Sequence, residues 1–437
     1  MNNLLTKIEE CERSAIAAWA EGRDEVSSEP WLAYVNLTNI CNSDCGMCPQ
    51  ADSMREDRGK MSLELFAQVI EKLPQSISKI YLIKQGEPFV HPQLEQVVRI
   101  LREKRPKVHV ALHTNALLAT RERVAKVLPF IDSMGISISS LDADSYRITA
   151  GSRHFDRALE RIGGICAELR AMPEDARPHV FLDFVRQDAN RQWSDEEVAE
   201  FFSRRFPELV SVDIHWVFNW QGDVPEGNLD VYEKLPREHF PCCVLPWGSV
   251  TVCHDGKLSY CFEEARENRF LGDLSEGDFA EVWNGEEYRK FRAAFAARDF
   301  DALDREGFHC SRCAFLWSMH TQSPRNLVGG YTGTSLDDPR FGQILDLEQT
   351  RQLELAADYY LDGEIQKAYG VAAMVETIGT TEPLKEASRR IQILCRAVFA
   401  NYRNLAVWHD QLERERIPLA ERRSRYIPIV PVEEAQG

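Results

Sequence analysis

Between residues 31 and 217 short apolar runs alternate with longer amphipathic stretches, and this alternation constrains the fold more than any other feature of the 437-residue chain. Strand-length runs fall at Leu32–Leu37, Lys79–Ile83, Val108–His113, Ser133–Ser139, Val180–Phe184 and Ser211–Val217. Apolar residues at helical spacing fill the intervals, at Ser62–Leu73, Pro92–Lys104, Arg121–Phe130, Phe155–Ala171 and Asp195–Arg205. Strands that alternate with helices build βαβ units, whose strands lie parallel. Six units in this length predict an α/β fold, a partial (β/α)6 TIM-like barrel rather than a closed eight-stranded one. Ligands then bind where the loops at the C-terminal ends of the strands converge.

The remaining chain divides by composition. Residues 1–30 read as an N-terminal helical lead-in, with Ile8, Cys11 and Ala15 at helical spacing and a Ser-Ser-Glu-Pro break. Residues 31–235 form the barrel. The stretch 236–316 has short strands, a His-Asp-Gly turn at 254–256 and six cysteines, and is expected as a small second unit. A polar linker at 317–344 contains Gly329-Gly330, and 345–437 is a C-terminal helical extension with Leu353, Ala356, Tyr359 and Tyr360 at helical spacing.

Charge and cysteine usage limit the function. With 69 acidic and 52 basic residues the net charge is −17, which opposes binding to a phosphate backbone and argues against a nucleic-acid partner. No apolar run reaches the roughly 18 residues of a membrane helix, and the first thirty residues are too charged for a secretory signal. A cytoplasmic location is expected, where thiols stay reduced and clustered cysteines serve metal or redox chemistry. Of twelve cysteines, Cys11, Cys166 and Cys395 stand alone in helix-like stretches and read as packing residues. The other nine fall into two groups.

The first group is Cys41-Asn-Ser-Asp-Cys45-Gly-Met-Cys48, in the loop after the first strand. Three thiolates at this spacing can hold three irons of a cubane and leave one iron open, since no fourth cysteine follows for a hundred residues. The segment 31–235 resembles the radical S-adenosylmethionine (radical SAM) superfamily, whose signature is C-x3-C-x2-C in this place. Further motifs follow in the family's order: Gly86-Glu87-Pro88, with Gln85 where the family has a first glycine; Thr114-Asn115 at the end of the third strand; and Ser137-Ile-Ser139-Ser140-Leu-Asp142 at the end of the fourth. The resemblance implies that Glu87 receives the methionine ammonium, that Gly86, Pro88, Thr114 and Asn115 shape that site, and that Ser137, Ser139 and Ser140 reach the ribose or carboxylate. Met47 stands where the family has an aromatic near the adenine, and Arg147 or Arg153 is the candidate partner of the carboxylate. The chemistry implied is reductive cleavage of S-adenosylmethionine to a 5′-deoxyadenosyl radical, which takes a hydrogen atom from substrate.

The second group contains Cys242, Cys243, Cys253, Cys261, Cys310 and Cys313. Two short strands around Asp255-Gly256 form a hairpin that brings Cys243 toward Cys261, and Cys310-Ser-Arg-Cys313 adds a C-x2-C pair. Four thiolates can close a tetrahedral set, for zinc on the bare spacing. With Cys-x-x-Pro-Trp at 243–247, Leu271-Gly-Asp-Leu and Val282-Trp283-Asn284, the segment resembles the SPASM/Twitch extension of radical SAM enzymes. That resemblance implies one auxiliary [4Fe-4S] cluster held by Cys243, Cys261, Cys310 and Cys313, as in aminocyclitol dehydrogenases of antibiotic biosynthesis. Cys253 reads as a packing residue or as a hydrogen donor facing the barrel, and Cys242 as a neighbour of a ligand.

These expectations make the protein an oxidoreductase with two [4Fe-4S] clusters and S-adenosyl-L-methionine, acting on a small molecule such as a sugar, cyclitol or amino-acid derivative in natural-product biosynthesis. Its electrons would come from a low-potential donor of flavodoxin or ferredoxin type. The alternatives are a peptide-modifying maturase or epimerase and, from another class, a non-catalytic zinc-stabilised binding protein. Lys84, His113, Asp183, Arg186, His215, Trp216 and Asn219 are candidate substrate-lining residues.

Overall fold

A computed structural model describes residues 22–49, 58–217, 219–224, 243, 245–314 and 382–400, with single helical positions at 14, 15, 18, 353, 356, 357, 359–361, 368, 371, 372 and 375. The chain divides into Met1–Glu348 and Gln349–Gly437.

The first unit is built on one sheet. Strands β1 (Leu32–Val35), β2 (Lys79–Tyr81), β3 (His109–Thr114), β4 (Ser133–Ser137), β5 (His179–Arg186) and β6 (Val212–Trp216) lie side by side in chain order. Each pairs with the next in parallel. The sheet is not closed into a barrel, as six units predict. Helices α1 (Leu63–Lys72), α2 (Leu94–Lys104), α3 (Arg121–Val127), α4 (Ala143–Thr149), α5 (Phe155–Ala171) and α6 (Asp195–Arg205) form the crossovers. Their starts are encoded locally: Ser62, Thr120, Asp142 and Ser194 are N-caps whose side chains accept a backbone N–H of the first turn. Of these, α4 is an element the periodicity does not predict.

The two faces of the sheet differ in chemistry. Ile80, Leu82, Val110, Leu112, Met134, Ile136, Val180, Leu182 and Phe184 form an almost fully buried aliphatic face, which the amphipathic helices cover. The opposite face carries Tyr34, Tyr81, His113, Gly135, Phe181 and Asp183, polar or aromatic residues at alternate positions of the same strands. Neighbouring rings on this face touch: Tyr34 stacks on Tyr81 at 5.2 Å between centroids, and His113 meets Phe181 edge-on at 5.6 Å.

The cysteine-rich stretch continues the same sheet. Strand β7 (Ser249–Val252) adds in parallel to β1, with Thr251 opposite Tyr34, and β8 (Lys257–Ser259) and β9 (Phe270–Asp273) follow antiparallel. The β7–β8 turn contains Gly256 at φ +93°, a conformation glycine tolerates best. Helices α7 (Phe279–Trp283), α8 (Glu286–Ala296) and α9 (Phe300–Arg305) complete this part. They grip the lead-in: Trp283 Nε1 donates to Ser28 O at 2.9 Å, and Asn284 exchanges two hydrogen bonds with the Val26 backbone. Helical positions 14, 15 and 18 agree with the expected lead-in helix, whereas Ile8 and Cys11 lie outside the described residues.

In the second unit, α10 (Glu382–Ala400) is the element described. Leu353, Ala356 and Tyr359 are buried at helical spacing. The expected linker at 317–344, the tail after 400 and the Cys395 side chain lie outside the described residues.

Candidate functional site

The two cysteine groups lie at the ends of different elements, and the structure builds them differently. Cys41, Cys45 and Cys48 occupy one half-exposed loop directly after β1. Three neighbours hold that loop. Asn115, at the end of β3, donates from Nδ2 to Asn42 Oδ1 at 3.0 Å, to Ser43 Oγ at 3.2 Å and to Cys41 Sγ at 3.8 Å. The Glu87 amide donates to Ile40 O at 3.0 Å, and the Asp44 amide to Ala150 O at 3.3 Å. Close approach requires glycine at two points. A Cβ on Gly86 (φ +78°) would lie 2.8 Å from Ile40 O, and one on Gly151 (φ +59°) would run into the Asp44 carbonyl.

Glu87 is buried behind this loop and caps the short 3-10 turn Pro88–Val90. Oε1 accepts from Phe89 N at 3.0 Å and Thr114 Oγ1 at 2.7 Å; Oε2 accepts from Asn115 N at 2.7 Å. Burial pushes its carboxyl above the usual range, while these three donors and the nearby Arg123 guanidinium pull the other way. A buried carboxylate held this firmly is suited to an ammonium group. Desolvation also raises the cysteine thiols, Cys41 to about 11 and Cys45 further, with mutual repulsion adding to it. Three thiols that repel as anions on one loop are a set that cationic iron would neutralise.

The remaining expectations for this side divide. Ser137 ends β4, half-buried. Ser139 and Ser140, expected at the cofactor, make hydrogen bonds within the protein. Ser139 Oγ accepts from Val185 N at 3.1 Å, and Ser140 Oγ meets Ser139 O at 2.7 Å and Thr149 Oγ1 at 2.8 Å. Their hydroxyls tie β4 to β5 and α4, because the strand end is itself buried. Met47 is half-buried beside Cys48, and Arg147 and Arg153 are exposed on either side of Gly151. Sequence reasoning missed Tyr146 on α4, which is buried near both Cys45 and Glu87, so that burial and these charges raise its hydroxyl. Only the cap signal of Asp142, which starts α4, could have pointed to it.

The second group draws on separated segments. Cys310 is buried, and its thiol is held well above the usual range by desolvation and by the neighbouring thiols of Cys261, Cys313 and Cys243. Cys243, Cys261 and Cys313 thus lie in the neighbourhood of Cys310. The Cys310–Cys313 turn is closed by Cys313 N to Cys310 O at 3.1 Å. Asn219 clamps it, donating to Arg312 O at 2.6 Å and accepting from Ala314 N at 2.9 Å. Burial lifts the Cys261 thiol to about 12, and Tyr34, stacked at 4.5 Å on Phe262, lies beside Cys261 and Cys243. Among the described residues, no three His, Cys, Asp or Glu side chains are grouped closely enough to hold a metal ion, zinc or iron. The donor chemistry of both groups, all thiol, fits iron–sulfur clusters.

Three expected substrate-lining residues prove structural. Lys84 is buried, with Nζ 3.1 Å from Glu267 Oε1 and 3.8 Å from Glu264 Oε2. It ties the loop carrying Gly86 to the loop after Cys261. Arg186 donates to Asp195 Oδ1 and to the carbonyls of Asn190 and Trp193, and Asn219 holds the cysteine turn. The side chains of His215 and Trp216 lie outside the described residues, as does Cys242. Cys253 follows β7 on the same face as Tyr34, is buried, and has Lys84, Glu267 and Glu264 close by. Cys166 is buried on α5, as a packing residue should be.

Residues 35–166 match the family model of the radical SAM superfamily, and residues 242–314 match that of an iron-sulfur cluster-binding domain, SPASM. Among curated relatives, the S-adenosyl-L-methionine-dependent 2-deoxy-scyllo-inosamine dehydrogenase of Niallia circulans is 21% identical over 60% of this chain and 85% of its own. The GTP 3',8-cyclase of Chlorobaculum tepidum is 20% identical over 57% and 83%. Solved structures that match include BtrN in complex with AdoMet and 2-DOIA, at 17% identity and TM-score 0.43 over 65% of this chain and 92% of that one. Streptococcus suis SuiB bound to precursor peptide SuiA matches at 14% and 0.48 over 64% and 70%. Among the described residues, no helix is long and apolar enough to cross a membrane. Iron–sulfur clusters and S-adenosylmethionine are the cofactors that the two matched domains imply, which replaces the expectation of a non-catalytic zinc protein. Residues 35–166 thus carry a radical SAM domain and residues 242–314 a SPASM iron-sulfur domain, and the protein is an enzyme.

Proposed function

We propose that the enzyme is an oxidoreductase that removes hydrogen from a small hydroxyl-bearing molecule, a sugar, cyclitol or amino-acid derivative, in reduced cytosol. Cys41, Cys45 and Cys48 would hold a site-open [4Fe-4S] cluster. Glu87 would accept the ammonium of S-adenosylmethionine, fixed in place by Thr114 Oγ1 and the Asn115 amide. Gly86 keeps the backbone near enough to the cysteine loop, and Pro88 starts the turn that Glu87 caps. Ser137, Met47 and Arg153 remain the candidates for the ribose, adenine and carboxylate. When bound, this cofactor pair supplies a 5′-deoxyadenosyl radical able to take a hydrogen atom from carbon.

Cys243, Cys261, Cys310 and Cys313 would fully ligate an auxiliary [4Fe-4S] cluster, leaving it no open iron, which suits electron transfer better than substrate binding. The observation that carries this reading is the contrast between three thiols on one loop and a separate group of four from dispersed segments, of which Cys310 and Cys313 are buried. A low-potential donor of flavodoxin or ferredoxin type would supply electrons at the exposed three-cysteine loop.

The test is product analysis. Anaerobically reconstituted enzyme is given S-adenosylmethionine, dithionite and a panel of cyclitols and aminocyclitols that includes 2-deoxy-scyllo-inosamine. Formation of a ketone together with 5′-deoxyadenosine supports the reading. Cofactor cleavage without oxidation of any member of the panel contradicts the small-alcohol assignment.

A further inference from the structure

We propose that His113 and Asp183, on the polar face of the sheet, form the proton-accepting site for the substrate hydroxyl. This rests on the oxidoreductase reading and extends it to a residue that touches substrate.

The placement of His113 is built in detail. It is the penultimate residue of β3, directly before Thr114 and Asn115, which hold Glu87. The imidazole therefore lies at the ligand-binding end of the parallel strands. Its ring lies over Gly135 of β4, its register partner. A Cβ there would come within 2.6 Å of Nδ1 and 2.8 Å of Nε2, so the hollow that admits the ring exists because residue 135 is glycine. Phe181 of β5 supports the ring edge-on, and Tyr81 of β2 flanks it at 6.3 Å. Asp183 Oδ2 lies 3.9 Å from Nδ1, longer than a hydrogen bond but close enough to stabilise an imidazolium. Catalytic pairs often tighten only when ligand binds. Both side chains keep contact with solvent, 24% for His113 and 16% for Asp183, so a ligand can reach them. The neighbouring strands present Asp183 and the Tyr81 ring to the imidazole. On its own strand His109 shares the face and is engaged with Ser133 Oγ at 2.9 Å.

Oxidation of H–C–O–H to C=O removes one hydrogen atom, one proton and one electron. The hydrogen atom goes to the 5′-deoxyadenosyl radical and forms 5′-deoxyadenosine. The O–H bond breaks as its proton passes to Nε2 of His113, and Asp183 stabilises the resulting cation across Nδ1. The electron would leave to the auxiliary iron–sulfur cluster that Cys243, Cys261, Cys310 and Cys313 would hold, which would serve as the oxidant. Removal of the proton makes the substrate radical a stronger reductant, which favours that last step.

The experiment compares wild type with His113→Gln, His113→Phe and Asp183→Asn, using 2-deoxy-scyllo-inosamine and its relatives as probes. Calorimetric binding without reductant provides a readout free of turnover. Gln can accept the hydroxyl hydrogen bond but not the proton, so H113Q should bind the probe within about twofold of wild type and lose about 100-fold or more in oxidation rate, the usual scale of general-base loss. H113F should also bind about tenfold more weakly, the scale of one hydrogen bond. Loss of the Asp183 charge lowers the histidine's proton affinity, so D183N should move the acid limb of the rate profile to lower pH. Circular dichroism spectra and denaturant midpoints matching those of wild type show that the variants are folded. If wild type oxidises a probe and H113Q matches it in rate, this inference fails alone. If wild type oxidises none, the oxidoreductase reading fails and this inference falls with it.

Discussion

The two thiol groups solve opposite problems. The first is carried on eight consecutive residues, 41–48, half-exposed, and tied down from outside by Asn115, Glu87 and Ala150. The second gathers residues 243, 261, 310 and 313 from segments that only the folded chain brings together, with Cys310 and Cys313 buried. Three thiols on one loop leave room for a ligand at a fourth metal position; four from dispersed segments, two of them buried, can close the set by themselves. The comparison teaches that openness here is a property of how the chain supplies its thiols. Lys84, paired with Glu264 and Glu267, links the loops that carry the two sites.

The largest expected effect breaks one site and spares the other. Replacing Cys45 by Ala should remove about four irons and all cleavage of S-adenosylmethionine, read by iron assay and by chromatography of 5′-deoxyadenosine. Next in size is Lys84→Met, which leaves two carboxylates buried without their cation and should cost about 3–5 kcal/mol in denaturant unfolding. Adding Glu267→Gln should recover part of that loss. Gly151→Ala should cost about 2 kcal/mol from its left-handed backbone alone and loosen the first site through Asp44. Its iron loading should fall there and not at the second site.

A smaller effect concerns pH. Folding raises the Glu87 pKa, so the folded state binds that proton more tightly than the unfolded chain. Stability from this group is present at low pH and lost as pH rises through the raised pKa. Relative to Glu87→Gln, metal-free wild type should therefore become less stable as pH rises above the ordinary carboxylate range, and S-adenosylmethionine should reduce the difference by supplying a cation. The smallest effect is one of rate. Thiols held as high as about 11 at Cys41 and about 12 at Cys261 must lose protons to bind metal. Cluster assembly, read by absorbance, should quicken from pH 7 to 8.5 at both sites.

Much of this was legible because it is local. The alternation of strands and helices gave the six parallel strands nearly to their ends, and Phe155–Ala171 and Asp195–Arg205 match the expected helices residue for residue. The C-x3-C-x2-C loop was legible for the same reason. What escaped depends on contacts distant in sequence. Pairing of β7 with β1 makes the cysteine-rich stretch an extension of the barrel sheet, which composition cannot reveal. Lys84, Arg186 and Asn219 looked like pocket residues because polar side chains at strand ends usually line sites. Their partners, Glu267, Asp195 and Arg312, lie 183, 9 and 93 residues away. The hydrogen bonds that Ser139 and Ser140 make to Val185 and Thr149 show that a family motif can carry scaffold contacts too. The hollow at Gly135 that seats His113 is invisible without the register of β3 and β4.

The central claim, one open and one closed iron–sulfur site, is tested most directly by iron and sulfide content with Mössbauer spectra of anaerobically reconstituted wild type and Cys310→Ala. About eight irons in wild type are predicted, and about four in the variant, which should still cleave S-adenosylmethionine. About four irons in wild type, or a colourless protein loaded with zinc, would contradict it.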